Sequence, residues 1–106
     1  MGIIILQQRN MASLLTDTEI NAHLSNLPGW ELAGKTITRT FKFKNFVEAI
    51  NFVNQLVAPA EAAGHHPDLS ISYNKVTVTM TTHDAGGLTA KDFQVAQSIE
   101  PLADLA

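Results

Sequence analysis

The stretch that decides the fold runs from Glu61 to His83 and reads EAAGHHPDLSISYNKVTVTMTTH. Apolar residues alternate with Ser and Thr on both sides of Asn74-Lys75, which is the period of a half-buried strand pair. The apolar positions are Leu69, Ile71, Tyr73, Val76, Val78 and Met80. The pattern predicts a β-hairpin with this row facing the core. A two-residue turn at Asn74-Lys75 would place His66 opposite His83 on the hydroxyl-rich face, and a longer turn would slip that register.

The residues before the hairpin constrain the backbone. Gly64 follows a helical stretch and suits the left-handed position that ends a helix. Pro67 disfavours the helical conformation of His66 and extends the chain. The sequence therefore predicts that a helix stops abruptly and delivers His65 and His66 to the start of a strand, near His83 at the end of the next one.

Three of the four histidines thus converge, and a site is the better interpretation than three structural histidines. Imidazole titrates near neutral pH, so His65, His66 and His83 could give and take protons. A zinc site is the alternative, but adjacent histidines diverge and no cysteine is present to complete a tetrahedron. We expect neither a metal nor a cofactor. Glu61, four residues before His65, could orient that ring, whereas a helix-capping position accounts equally well for Asp92.

The rest of the chain predicts the order αββαββα, an α+β fold in which three helices pack on one face of a four-stranded, mainly antiparallel sheet. The three helices are predicted to begin after the capping residues Thr16, Asn45 and Thr89. Two positions in the long middle helix stand out. Pro59 predicts a kink, or a break followed by a new turn that carries Glu61. The main apolar stripe of this helix consists of Phe46, Ala49, Ile50, Val53, Leu56, Val57 and Ala60. Phe52 lies outside this stripe and is a candidate oligomer contact.

Composition excludes several classes of protein. The 106 residues suit one domain, and we expect residues 1–14 to be a poorly ordered N-terminal extension and residues 15–106 to form the domain. The net charge of −3 and seven scattered Lys and Arg argue against direct nucleic-acid binding. No stretch approaches the ~20 apolar residues of a membrane span, and the N-terminus does not resemble a signal peptide. We expect a cytoplasmic protein without membrane contact.

The spacing of the candidate site residues resembles the signature of the pterin-4a-carbinolamine dehydratases. It consists of Glu61, His65-His66-Pro67, Tyr73, His83 and Asp92. The likeness extends from about Leu15 to the C-terminus and includes Gly29-Trp30, Phe41-Lys42-Phe43 and Asn74-Lys75-Val76. Pro59 departs from it, because the family is expected to have an unbroken helix there.

The resemblance implies a hydro-lyase that dehydrates 4a-hydroxytetrahydropterin to quinonoid dihydropterin in pterin recycling. It implies catalysis by His65, His66 and His83, with Glu61 and Asp92 in support, and leaves open which histidine is acid and which is base. It also implies a homodimer or homotetramer. Two alternatives remain: a non-catalytic dimerisation cofactor of a transcription factor, and a module that binds a pterin without converting it.

Overall fold

The computed structural model describes residues 13–106, and within them four strands form one antiparallel sheet in the order β1-β2-β4-β3. The strands are β1 (Glu31–Ala33), β2 (Thr36–Lys42), β3 (Asp68–Ser72) and β4 (Lys75–Met80). The helices are α1 (Asp17–Leu24), α2 (Phe46–Gln55), α3 (Val57–Ala63) and α4 (Ala90–Ile99). Short 3₁₀ helices span His83–Ala85 and Glu100–Leu105.

The two central strands present apolar residues to one face of the sheet only. Ile37 and Phe41 of β2 are buried together with Val76, Val78 and Met80 of β4. On the opposite face the hydroxyls of Thr38 and Thr79 and those of Thr40 and Thr77 pair across the strands. Apolar residues of the helices join the same buried cluster, so the predicted α+β fold is confirmed.

The middle helix is divided where the sequence predicted a kink or break. Helix α2 ends at Gln55 and α3 begins at Val57, so Pro59 is the third residue of a new helix. The backbone N–H groups in a first helical turn have no partner within the helix, and a proline there sacrifices no helical hydrogen bond. The predicted break is confirmed, and it carries Glu61 into α3.

We expect Pro59→Ala to lower the free energy of unfolding by about 0.4–1 kcal/mol, because alanine leaves the unfolded chain more freedom and α3 has no hydrogen bond to regain. Urea denaturation measures this change. The neighbouring exposed substitution Ala58→Ser serves as a control for general effects on α3. A clear increase in stability would mean that the proline strains the folded helix.

The prediction that Phe52 is an oligomer contact is wrong. Its side chain is 0% exposed and its ring lies 4.8 Å from that of Phe41 and 5.0 Å from that of Phe43. The buried stripe of α2 and α3 consists of Ala49, Phe52, Leu56 and Ala60. Phe46 and Val57, which the sequence assigned to the buried face, are exposed instead. The helix is therefore rotated about its axis relative to the prediction.

The hairpin forms, but its register differs by two residues from the predicted one. The turn consists of Tyr73-Asn74, and Ile71 pairs with Val76 and Leu69 with Val78. Asn74 lies in this turn, where its backbone C=O accepts a hydrogen bond from the Phe43 N–H at 2.8 Å and its side-chain amide donates to the Phe43 C=O at 2.7 Å. The turn is thereby tied to the chain that leaves β2.

Strand β3 is an edge strand, and its apolar row is not buried as predicted. Leu69, Ile71 and Tyr73 are all exposed, so Tyr73 is not a core residue. A shift of two residues keeps each side chain on its face of the sheet. The difference arises because β3 is at the edge of the sheet, and its apolar row is only partly covered by the rest of residues 13–106.

The start of the domain is held by a hydrogen bond from the Leu15 N–H to the Leu88 C=O at 3.0 Å. The predicted extension, residues 1–14, lies outside the described residues except for Ser13 and Leu14. None of the helices within residues 13–106 is long and apolar enough to cross a membrane.

Candidate active site

The end of helix α3 sets the direction of the two adjacent histidines. Gly64 adopts a left-handed conformation with φ of 59°, and the His65 N–H donates to the Ala60 C=O at 3.1 Å. This hydrogen bond spans six residues, the pattern that closes a helix with a glycine after its last turn. The chain leaves the helix axis at this point, and His65 and His66 acquire different partners.

His65 is held by a buried carboxylate. Its Nε2 atom lies 2.6 Å from Asp92 Oδ1, and the two side chains are 12% and 0% exposed. The other oxygen, Oδ2, accepts hydrogen bonds from the Thr89 N–H and the Thr82 hydroxyl, each at 2.9 Å. Asp92 thus caps helix α4 with one oxygen, as the sequence indicated, and holds His65 with the other.

This contact selects the tautomer of His65. A carboxylate only accepts hydrogen bonds, so Nε2 must carry the hydrogen that is shared with Asp92. In the neutral ring Nδ1 then holds the lone pair, because the partner of one ring nitrogen determines the protonation of the other. His65 is therefore set up to accept a proton at Nδ1.

Glu61 contacts His66 and not His65, which corrects the prediction that it orients His65. The Glu61 carboxylate is hydrogen-bonded to His66 Nε2, and the two side chains are 67% and 62% exposed. A residue four positions on lies above Glu61 only while the helix continues. Because the helix ends at Gly64, His65 turns inward and the next residue reaches the carboxylate.

His83 is the most exposed of the three histidines. It begins the 3₁₀ helix His83–Ala85 after strand β4 has ended, and its side chain is 81% exposed. Its Nε2 atom lies 3.9 Å from Asp68 Oδ2 at the start of β3. The predicted cross-strand pair of His66 and His83 is therefore wrong, because neither residue belongs to a strand.

All three histidines nevertheless line one cavity of about 270 Å³. The other lining residues are Gly64, Thr81, Thr82 and Asp84. Glu61 and His66 also border an adjoining apolar groove of about 230 Å³ beside Val57 and Leu69. Asp92 does not line the cavity, but its carboxylate contacts His65, which does. The structure thus brings together the three histidines that the sequence singled out.

The sequence did not predict Thr82 as a site residue, although its hydroxyl lies beside His65 and donates to Asp92. Its position directly before His83 in the run Thr81-Thr82-His83 was the available signal. The pairing of its hydroxyl with Thr89 and Asp92 could not be read from a strand pattern, because seven and ten residues separate them along the chain.

Within residues 13–106 no group of three or more acidic or histidine side chains is arranged to hold a metal ion. Each histidine of the cavity instead faces one carboxylate. One imidazole is fixed by a buried acid and two are exposed at the mouth, which is suited to proton transfer at both ends of a small substrate.

The sequence matches the family model described as pterin 4 alpha carbinolamine dehydratase over residues 13–102. A protein of Picosynechococcus sp. is 65% identical over 92 residues, which are 87% of this chain and 100% of the relative. One of Cyanothece sp. is 62% identical over 93 residues, 88% of this chain and 96% of the relative. Both are provisionally named pterin-4-alpha-carbinolamine dehydratase.

Two solved structures share the fold. A protein of Brucella melitensis, described as a transcriptional coactivator/pterin dehydratase, has a TM-score of 0.80 and 40% identity and covers 84% of this chain and 97% of its own. A pterin dehydratase-like protein described as a RuBisCO assembly factor of the alpha-carboxysome has a TM-score of 0.60 and 23% identity, over 71% of this chain and 89% of its own. The second likeness concerns the fold alone.

Proposed function

This chain belongs to the pterin 4 alpha carbinolamine dehydratase family, and on that premise we propose that it removes water from 4a-hydroxytetrahydropterin to give quinonoid dihydropterin. The observation that carries the proposal is the cavity in which His65, His66 and His83 meet, with His65 held by the buried Asp92. A cavity of about 270 Å³ suits one small bicyclic ring system.

The reaction requires one proton donor and one proton acceptor and leaves the oxidation state unchanged. An acid protonates the 4a-hydroxyl, the C–O bond breaks, and water leaves while the lone pair of the adjacent ring nitrogen forms a C=N bond. A base then removes a proton from a ring nitrogen, so that the net loss is one water molecule. Groups that titrate near neutral pH serve both steps.

We assign the base to Nδ1 of His65 and the acid to the exposed histidines. The Asp92 carboxylate stabilises the imidazolium that forms when His65 accepts a proton, as the acid of a Ser-His-Asp triad does. His66 and His83 lie at the mouth of the cavity, where a histidine can regain a proton from water. In this assignment Glu61 and Asp68 are the carboxylates beside the two exposed rings.

The test is an absorbance assay of carbinolamine dehydration with purified protein, with the uncatalysed rate measured in the same buffer and subtracted. Dehydration well above that background, saturating with substrate, is the expected result. Tight binding of a pterin product without any acceleration would instead favour a pterin-binding module. A protein that neither binds a pterin nor accelerates the dehydration would refute both the dehydratase and the pterin-binding module.

The description of the Brucella melitensis protein as a transcriptional coactivator favours a second candidate function, a cofactor that acts through protein contacts. The net charge of −3 with seven Lys and Arg suits such contacts better than DNA binding. The two functions separate experimentally, because His65→Gln should strongly lower the rate of dehydration and leave a protein–protein contact unchanged. The cytoplasmic location stays a prediction.

We further propose that the chain forms a homodimer or homotetramer through β3. The apolar edge, defined as Leu69, Ile71 and Tyr73, is exposed in the part of the chain that the structure describes, and β3 is there an edge strand of the sheet. Leu69 also borders the apolar groove with Val57. A second copy would cover the apolar edge and the groove. The proposed oligomer contact is therefore β3, in place of Phe52.

Sedimentation at micromolar concentration should give a mass at least twice the 11.5 kDa of one chain. Ile71→Lys should reduce the mass to that of one chain, because a charge would be buried in the interface. Ser70→Lys, on the same strand but on the opposite face, should not. A wild-type monomer would contradict the proposal.

A further inference from the structure

Thr82 lines the cavity and is almost fully buried. Its hydroxyl is hydrogen-bonded to Asp92 Oδ2 at 2.9 Å and to the Thr89 hydroxyl at 2.8 Å, and it lies 3.4 Å from His65 Nε2. Thr82 is 7% exposed, and Thr89 and Asp92 are 0% exposed. Water therefore cannot replace these contacts without rearrangement.

The hydrogens of this network can be assigned from its chemistry. The Thr82 hydroxyl has one hydrogen, which it donates to the carboxylate of Asp92. In the contact between the two threonines, Thr89 must then be the donor and Thr82 the acceptor. The Thr82 hydroxyl therefore donates once and accepts once, and donation to Asp92 fixes the direction of its hydrogen.

We propose that Thr82 is a positioning residue that fixes the Asp92 carboxylate, and through it the tautomer and ring orientation of His65, for the dehydration proposed above. The Thr89 N–H alone holds Oδ2 from one direction. The second donor, from Thr82, restricts rotation of the carboxylate so that Oδ1 faces His65 Nε2. The inference rests on the proposed function for its catalytic consequence only.

The backbone of Thr82 also organises the turn that carries His83. Its N–H donates to the Gly87 C=O at 3.0 Å, and its C=O accepts from the N–H groups of Ala85 and Gly86 at 3.1 and 3.0 Å. The side chain of Thr82 thus acts on His65 while its backbone sets the loop that begins with His83. Replacing the hydroxyl alone should disturb the first histidine and spare the second.

The test compares Thr82→Val, which exchanges the hydroxyl for a methyl group, with Thr82→Ser, which keeps it. Loss of the group that orients a functional histidine costs about 10- to 100-fold in metal sites, and we expect a fall in kcat of this order for Thr82→Val with little change in KM. Thr82→Ser should recover most of the rate. Thr77→Val makes the same exchange on β4, where the hydroxyl only pairs with Thr40, and should keep the wild-type rate.

A second measurement separates positioning from folding and from the proposed function. In the free protein, ¹⁵N NMR of the His65 ring should show the Nε2–H tautomer in wild type and in Thr82→Ser, and a mixture of tautomers in Thr82→Val. Thr82→Ala, which adds no methyl group against the carboxylate, replaces Thr82→Val if that variant does not unfold cooperatively.

The outcomes are distinct. An unchanged tautomer together with wild-type kcat in a folded Thr82→Val would overturn the proposal. Equal losses in Thr82→Val and Thr82→Ser would also overturn it, because the hydroxyl would not be the cause. A wild-type protein without dehydratase activity would refute the proposed function and the catalytic part of this inference, while the ring-nitrogen spectra would still decide whether Thr82 fixes His65.

Discussion

Replacing His65 with glutamine is expected to lower kcat of the dehydration by ~10²–10⁴-fold, the usual cost of losing a positioned proton-transfer group. Glutamine can still donate an amide hydrogen towards Asp92 Oδ1, so the buried carboxylate keeps a partner. It cannot accept and release a proton near neutral pH. The variant therefore removes the chemistry and preserves most of the structure, and steady-state kinetics with the uncatalysed rate subtracted measures the loss.

His23→Gln is the matched control, because His23 is the histidine outside the cavity. Its ring stacks on Phe93 with centroids 4.7 Å apart, and it is not among the residues that line the cavity within residues 13–106. We expect this variant to keep the wild-type rate. If His65→Gln also kept that rate, with unchanged melting, His65 would not be the base and the acid–base roles would have to be divided between His66 and His83.

Asp92→Asn should produce a loss of similar size by a different route. The asparagine oxygen can accept the hydrogen bonds from Thr82 and Thr89, which leaves the amide N–H₂ facing His65. His65 then presents its lone pair at Nε2 and carries its hydrogen at Nδ1, so the base is in the wrong tautomer. The equivalent replacement behind the histidine of a serine protease lowers kcat by about 10⁴-fold.

A double-mutant cycle decides whether the two residues act as one unit. If Asp92 acts through His65, the double variant His65→Gln with Asp92→Asn should be no slower than His65→Gln alone. Independent, multiplying losses would mean that Asp92 contributes in another way. Asp92→Ala addresses stability instead, because it leaves buried donors unpaired, each at about 1–3 kcal/mol in the free energy of unfolding.

Much of the fold and the meeting of the three histidines in one cavity could be predicted from local sequence. Period-two alternation identified the hairpin strands, and capping residues placed the starts of helices at Thr16, Asn45 and Thr89. Gly64 marked the end of a helix and Pro59 a break in one. These features depend on neighbours within a few residues, where backbone sterics and single hydrogen bonds determine the conformation.

Only the tertiary structure determined which side chains of different elements contact one another. The hairpin turn at Tyr73-Asn74 is joined to the chain that leaves β2, because the Asn74 side-chain amide donates to the Phe43 C=O. The burial of Phe52 depends on where Phe41 and Phe43 lie on the sheet. Both contacts join residues that are distant in sequence, and neither changes the local periodicity from which the elements are recognised.

The same distinction applies to the histidines of the cavity and to the carboxylates that contact them. The sequence determined that His65, His66 and His83 would gather at one end of the hairpin, because a helix stop and two strands require it. Only the folded chain decided that Asp92 holds His65 and that Glu61 holds His66. The N-terminus of α4 must dock against the end of β4 before the Asp92 carboxylate can reach Thr82 and His65, and that docking is set by core packing between distant segments.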